Sequence, residues 1–313
     1  KAFADTNQLY AKVTPYLKDA FNEKQESLFH DAFGNRISLL WGPPGTGKTT
    51  VLAGTILGWI EHYAEAGIPL RVGIGSSNYN AIDNVLNEVL ELINRRTATV
   101  GALACPVRVT RVRSDSSAPP LSDQIEDMPR TSARAQGFVN ALKGDDTGII
   151  IVGGTWQQLG RLAEKDHQDS EPTAEWFDLL VIDEASQVQV AAAAAYFLLL
   201  KSDGHVVLAG DDRQLGPIYG FQMKDSVQGL FDCIFSYMKE THGITPVQLK
   251  HNYRTNVEIS AWPCKRFYKN EYEAFFPERK LDLAINIDGR PADWPEQLPW
   301  SDEFLRILDP ACP

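Results

Sequence analysis

The chain has 313 residues, and its 43% hydrophobic content is enough to build a sizeable core in one large domain or two smaller ones. No run reaches the roughly 20 apolar residues of a membrane span, and a net charge of −11 argues against a generally basic, nucleic-acid-coating surface while leaving room for a local groove. Cys105, Cys233, Cys264 and Cys312 lack C-x-x-C spacing and paired histidines, which favours reduced thiols in an intracellular protein, cytoplasmic or nuclear, over a zinc site.

In chain order, the N-terminus Lys1-Ala2-Phe3-Ala4-Asp5 is neither a signal peptide nor a natural start, and it reads as the end of a trimmed fragment. Residues 1–33 are helical in tendency, and in Asn22-Glu23-Lys24-Gln25 the spacing predicts an N-cap with Gln25 as its reciprocal capping residue. Residues 37–41 form a short apolar, strand-like run, and residues 50–66 carry apolar positions at helical spacing. A strand over 70–76 and a helix marked by Ile82, Val85, Leu86, Val89, Leu90 and Ile93 continue the alternation. Residues 107–112 alternate like a half-exposed strand, 114–130 read as a loop or small insertion, and 133–143 suit a short helix. Strands follow at 148–153, 179–183, 205–209 and 246–249, with helices at 189–200 and 227–241. From Asn270 the pattern dissolves into charged, Pro-rich sequence. Strands and helices in this alternation specify an α/β fold with a mostly parallel sheet and helices on both faces.

The segment Gly42-Pro43-Pro44-Gly45-Thr46-Gly47-Lys48-Thr49 fits G-x-x-x-x-G-K-[ST], with a strand before it and a helix from Thr50 after it. That pattern is a P-loop: glycines let successive N–H groups point inward, the helix adds its positive end, Lys48 faces outer phosphates, and the Thr49 hydroxyl suits Mg2+. Asp183-Glu184 follows four apolar residues and so falls at the C-terminal end of a buried strand, where open α/β sheets place ligands. Asp183 suits Mg2+, and Glu184 suits orienting and deprotonating a water; a pair of acids capping the next helix is the structural alternative. In Gly210-Asp211-Asp212-Arg213-Gln214-Leu215-Gly216-Pro217, Gln214 can both donate to and accept from a γ-phosphate or its water, although the stretch also reads as a plain turn.

Together these segments resemble the first RecA-like domain of superfamily 1 helicases of the Upf-like branch, superfamily 1B. Phe21 to Gln25 resembles the Q motif, Gly42 to Thr49 motif I, Asp183-Glu184-Ala185-Ser186-Gln187 motif II, Gly210 to Pro217 motif III, and Leu249-Lys250-His251-Asn252-Tyr253-Arg254 motif IV. The resemblance implies an ATP- and Mg2+-dependent motor acting on single-stranded RNA or DNA. It implies that Gln25 reads adenine, that Tyr253 stacks on the base and that Thr50 joins the nucleotide site. Lys48, Glu184, Gln214 and Arg254 would be catalytic, with Arg254 reaching the γ-phosphate. Gln25 as a cap, Tyr253 as core and Arg254 as a surface ion pair are the local alternatives. Asn252 stands where the family carries glutamine. Ser77 and Asn78, in a stretch resembling motif Ia, and Thr155 would touch strand phosphates, or else cap helices; no stacking platform is evident. The resemblance divides the chain into a RecA-like ATPase domain over 1–270, with a short insertion at about 114–143, and a linker over 271–313. That linker would lead to a second RecA-like domain bearing the family's remaining motifs, V and VI, in a monomer not bound to membrane. A nucleotide-gated module that binds a partner without moving a strand is the rival from another class.

Overall fold

The computed structural model describes residues 5–114, 120–129, 133–164, 175–217 and 232–278. They cluster into two units: one runs up to Gly42 and resumes over Lys48–Leu249, and the other holds Pro43–Gly47 and the described residues from Lys250 onward.

The larger unit is built on β1 (Ile37–Trp41), β2 (Leu70–Gly75), β3 (Val107–Arg113), β4 (Glu126–Pro129), β5 (Ile149–Gly153), β6 (Phe177–Ile182), β7 (Leu200–Gly210) and β8 (Val247–Gln248). They form one sheet in the order β4-β3-β5-β2-β6-β7-β1-β8, and every neighbouring pair is parallel. β2, β5 and β6 are buried along their whole length; β5 is a continuous apolar run, and β2 and β6 are apolar apart from the buried Arg71 and Asp178 rather than alternating. Successive side chains still point to opposite faces. Ile149, Ile151, Leu179 and Val181 join one core with α1 (Thr6–Val13), α2 (Glu23–Gly34), α3 (Lys48–Ala66) and α4 (Tyr79–Val100). Ile150, Val152, Leu180 and Ile182 join the other, with α5 (Ala135–Asn140), α6 (Trp156–Ala163) and α7 (Val190–Phe197). This is a three-layer, P-loop RecA-like α/β architecture.

The helix expected over 189–200 ends at Phe197, and β7 starts at Leu200 rather than 205; two further segments differ more from the sequence-based expectation. The span read as a loop contributes β4, which carries no apolar alternation; Met128 packs into the core, while Glu126 and Asp127 pair with Arg108, Arg111 and Arg113 of β3. Charge pairing across the strands replaces the missing pattern. The helix expected over 227–241 is seen only as a turn at Ile234–Ser236 and a wider one at Tyr237–Thr241; its first residues lie outside those described. Most of the expected linker over 271–313 also lies outside them.

In the second unit, β9 (His251–Asn252) pairs in parallel with β10 (Glu273–Ala274). The helix α8 (Val257–Phe267) is capped by Asn256, whose side chain accepts from the Ile259 amide at 3.1 Å.

Candidate active site

In a parallel sheet all C-terminal strand ends share one edge, and here the chemistry-bearing residues of the larger unit gather there. β1 and β7 stay in register to Trp41 and Gly210, and the Gly42 N–H donates to the Gly210 carbonyl at 3.1 Å. β6 lies beyond β7, and the Asp183 N–H extends its ladder to the Gly75 carbonyl of β2 at 3.0 Å. α3 starts at Lys48, whose Nζ donates to the Gly42 carbonyl at 2.8 Å. Thr49 and Thr50, half-buried, complete its first turn.

Asp183 is buried, and its carboxyl is pushed up to about 6. Burial is the main cause and the Glu184 charge adds to it, while the Lys48 charge and the Glu184 amide, 2.9 Å from Oδ1, oppose. The Lys48 ammonium therefore already acts on the carboxylate expected to hold metal. The Asp183 carboxylate and the Thr49 hydroxyl are hard oxygen donors, and they fit Mg2+.

Glu184 sits at φ 51°, ψ 40°, in the left-handed region that glutamate rarely adopts, and such strain costs about 1–3 kcal/mol. The kink ends the strand and begins a single turn, Ala185–Gln187, that ties motif II to its neighbours. The Gln187 amide lies 3.5 Å from a Glu184 carboxylate oxygen, and Gln187 Oε1 accepts from the Ser77 hydroxyl at 3.1 Å. Ser186 Oγ faces the Asp211 amide at 3.4 Å. Gly210 leaves room for this approach, because a Cβ there would come 2.9 Å from the Ser186 nitrogen.

Gln214 donates to Asp211 Oδ2 at 2.8 Å, and Asp211 Oδ1 accepts from both the Trp41 indole and the Arg213 amide at 3.1 Å. Asp211 is fully buried and holds the motif III turn on the end of β1. The sequence pattern points to Gln214 rather than to Asp211, although the run of two aspartates after an apolar strand is a signal for it.

Gln25 completes the predicted capping box: its Oε1 accepts from the Asn22 amide and its own amide donates to Asn22 Oδ1, both at 3.0 Å. Asn78 caps α4, accepting from the Ala81 amide at 3.0 Å, so one side of its side chain serves the helix. Ser77 is exposed. Thr155 occupies the N-cap position of α6 without a capping bond from its side chain, and the next residue, Trp156, is 39% exposed, an accessible aromatic that the sequence did not single out.

In the second unit, Gly45 and Gly47 take φ values of +79° and +82°, which glycine alone tolerates without strain. The Thr46 hydroxyl donates to the Pro43 carbonyl at 2.8 Å, the Tyr272 hydroxyl to the Pro44 carbonyl at 2.8 Å, and the Tyr253 amide to the Gly45 carbonyl at 2.8 Å. Asn252 Oδ1 accepts from the Arg254 amide at 2.8 Å and the Thr255 amide at 3.2 Å. This turn holds the backbone of Arg254, whose side chain is exposed, and gives Asn252 a role that the shorter side chain performs locally. The Tyr253 ring lies against Phe275, with centroids 4.7 Å apart.

Residues 25–221 match the family model described as an AAA domain. The chain is 29% identical over 268 residues to the Regulator of nonsense transcripts 1 homolog of Neurospora crassa, covering 80% of this chain and 23% of that protein. It is 22% identical over 361 residues to DNA polymerase alpha-associated DNA helicase A of Saccharomyces cerevisiae, covering 99% and 51%. To ATP-dependent helicase NAM7 of the same yeast it is 24% identical over 298 residues, covering 89% and 27%. The chain thus spans between about a quarter and a half of these relatives. Because the family model matches well over half of its length, the chain belongs to the AAA domain family, and its ordered motifs make it a first RecA-like domain of the Upf-like superfamily 1 helicase kind.

Proposed function

We propose that this chain is the ATP-binding and ATP-hydrolysing motor domain of a superfamily 1B helicase or translocase, acting on single-stranded RNA or DNA inside the cell. The observation that carries the reading is the arrangement around β6. A buried Asp183 feels the Lys48 charge, and Glu184 follows it in a strained left-handed conformation at the ligand-binding edge of the sheet. Among the described residues, no helix is long and apolar enough to cross a membrane.

In this reading Gly42, Pro43, Pro44, Gly45, Thr46 and Gly47 cradle the phosphates of ATP, Lys48 faces the outer ones, and Thr49 and Asp183 hold Mg2+. Bound Mg2+ neutralises charge on the transferred phosphoryl group. Glu184 takes the proton of the attacking water, Gln214 senses the γ-phosphate, and Arg254 stabilises its developing charge. Thr50 joins the nucleotide site, Gln25 reads the adenine edge and Tyr253 stacks on the base. Ser77, Asn78 and Thr155 receive strand phosphates. A second RecA-like domain in a longer monomeric protein supplies a further arginine, a contribution worth about 10^3 to 10^5 in rate.

The test is steady-state ATP hydrolysis with and without single-stranded RNA and DNA, for this chain and for a longer one that includes the following domain. The expected result is nucleotide binding with slow turnover by this chain, and strand-stimulated turnover by the longer one. No Mg2+-dependent ATP binding by either would sink the proposal.

A further inference from the structure

Tyr196 lies in the alanine-rich helix α7, is fully buried, and sends its hydroxyl to the two loops expected to hold a nucleic-acid strand. The phenol oxygen accepts from the Ser76 N–H at 3.0 Å and lies 3.0 Å from the carbonyls of both Ser76 and Gly154, donating its single proton to one of them. The ladder between β2 and β5 ends at Ile74 and Gly153, with a last bond from the Gly154 N–H to the Ile74 carbonyl at 3.0 Å. Beyond that point the two chains turn away into α4 and α6, and one phenol takes over as the tie. Gly75 makes the approach possible: a Cβ there would lie 2.6 Å from the Tyr196 ring. Burial also pushes the phenol above its ordinary range, so it stays protonated and able to donate.

We propose that Tyr196 is the positioning residue of the strand-binding edge, fixing the loop that begins at Ser76 and the loop that begins at Gly154 as one rigid receptor for the sugar-phosphate backbone of single-stranded nucleic acid. The inference rests on the reading that Ser77, Asn78 and Thr155 meet strand phosphates. A phosphate receptor made of neutral hydroxyl, amide and backbone donors binds well only if those donors are already in place, because each group ordered on binding subtracts from affinity. The Tyr196 hydroxyl does that ordering from the protein side. It contacts neither strand nor nucleotide itself.

The test compares Tyr196→Phe with the unmodified chain in binding to a fluorescent single-stranded oligouridylate, to an oligothymidylate, and to a fluorescent ATP analogue. The expected result is oligonucleotide affinity lowered about tenfold for RNA, DNA or both. ATP-analogue affinity should stay within about twofold, a split that general destabilisation would not produce. Unchanged oligonucleotide affinity in the variant overturns the role of Tyr196, as does equal loss of both ligands. If the unmodified chain binds neither oligonucleotide, the strand-binding reading fails first and the inference goes with it. Should Tyr196→Phe not fold, hydrogen exchange on the unmodified chain decides: the strand should protect peptides covering 76–78 and 154–155 over the same concentration range, and protection of one without the other contradicts the proposal.

Discussion

The indole of Trp41, the last residue of β1, donates a hydrogen bond to Asp211 Oδ1 at 3.1 Å, across the end of the sheet. The same carboxylate organises Arg213 and Gln214, so the strand that leads into the phosphate loop and the turn expected to sense the γ-phosphate share one buried anchor. Asp211→Ala leaves the Trp41 and Arg213 donors without this acceptor. A loss of about 1–3 kcal/mol in unfolding free energy is expected from the orphaned groups. Turnover should fall further than stability explains, because Gln214 loses the carboxylate that orients it. Denaturant titration beside ATPase assays checks both parts, and full turnover with normal stability would remove Asp211 from this role.

Lys48→Ala and Glu184→Gln should separate binding from chemistry. Lys48 carries the helix-start cation, so its loss is expected to abolish nucleotide binding or turnover. Glu184→Gln keeps size and hydrogen-bonding shape while removing the base; nucleotide affinity should hold within about threefold while kcat drops about a hundredfold or more. Equilibrium binding and single-turnover hydrolysis give the two numbers. Hydrolysis at the normal rate by Glu184→Gln would assign the base to another group.

Arg71 tests the scaffold rather than the chemistry. Its guanidinium is almost wholly buried and donates to the carbonyls of Ala141 at 2.9 Å, Gly148 at 2.7 Å, Leu70 at 3.1 Å and also Asp146, while its own amide donates to Asp178 at 2.9 Å. It thereby ends the α5 segment and joins it to the sheet. Arg71→Met strands several buried carbonyls together and should cost about 3 kcal/mol or more. Arg71→Lys should rescue little, since an ammonium cannot fork to so many acceptors. The midpoint of urea unfolding reads the effect, and a shift smaller than that of an ordinary surface substitution would count against it.

The sheet was legible because its central strands carry uninterrupted apolar runs, 149–152 and 179–182, between helical periodicities, and parallel pairing follows from that alternation. β4 was not, because Glu126 and Asp127 look like loop residues until Arg108, Arg111 and Arg113 stand beside them. The phosphate loop and the Asp183-Glu184 pair are local in sequence, and so readable. Asp211 and Tyr196 do their work through partners 170 and 120 residues away in the chain, which no local pattern encodes. The capping role read for Gln25 is local too, and the geometry matches it. The left-handed Glu184 has no sequence signature, since glycine or asparagine is the residue that usually marks such a turn.

Gly45→Ala offers the sharpest separation of backbone conformation from contact. Gly45 has φ +79°, and a Cβ there would come 2.5 Å from Asn252 Oδ1 and 2.7 Å from the Arg254 Cβ. Asn252 cannot yield freely, because the same Oδ1 holds the Arg254 and Thr255 amides. The added methyl must therefore displace either the phosphate loop or the turn carrying Arg254, and both outcomes strike the nucleotide chemistry. Gly67 is the control: its φ is +64°, and nothing lies within 4 Å of a Cβ built on it. Gly67→Ala should cost about 1 kcal/mol of stability, the price of a left-handed alanine, and leave nucleotide affinity and turnover unchanged. Gly45→Ala should lose at least tenfold in ATP affinity or turnover, beyond any loss of stability it shares with Gly67→Ala. Isothermal titration with ATP and Mg2+, steady-state hydrolysis and thermal unfolding of the two variants provide the comparison. Matching profiles for the two would mean that the close approach of Gly45 to Asn252 and Arg254 has no part in nucleotide handling.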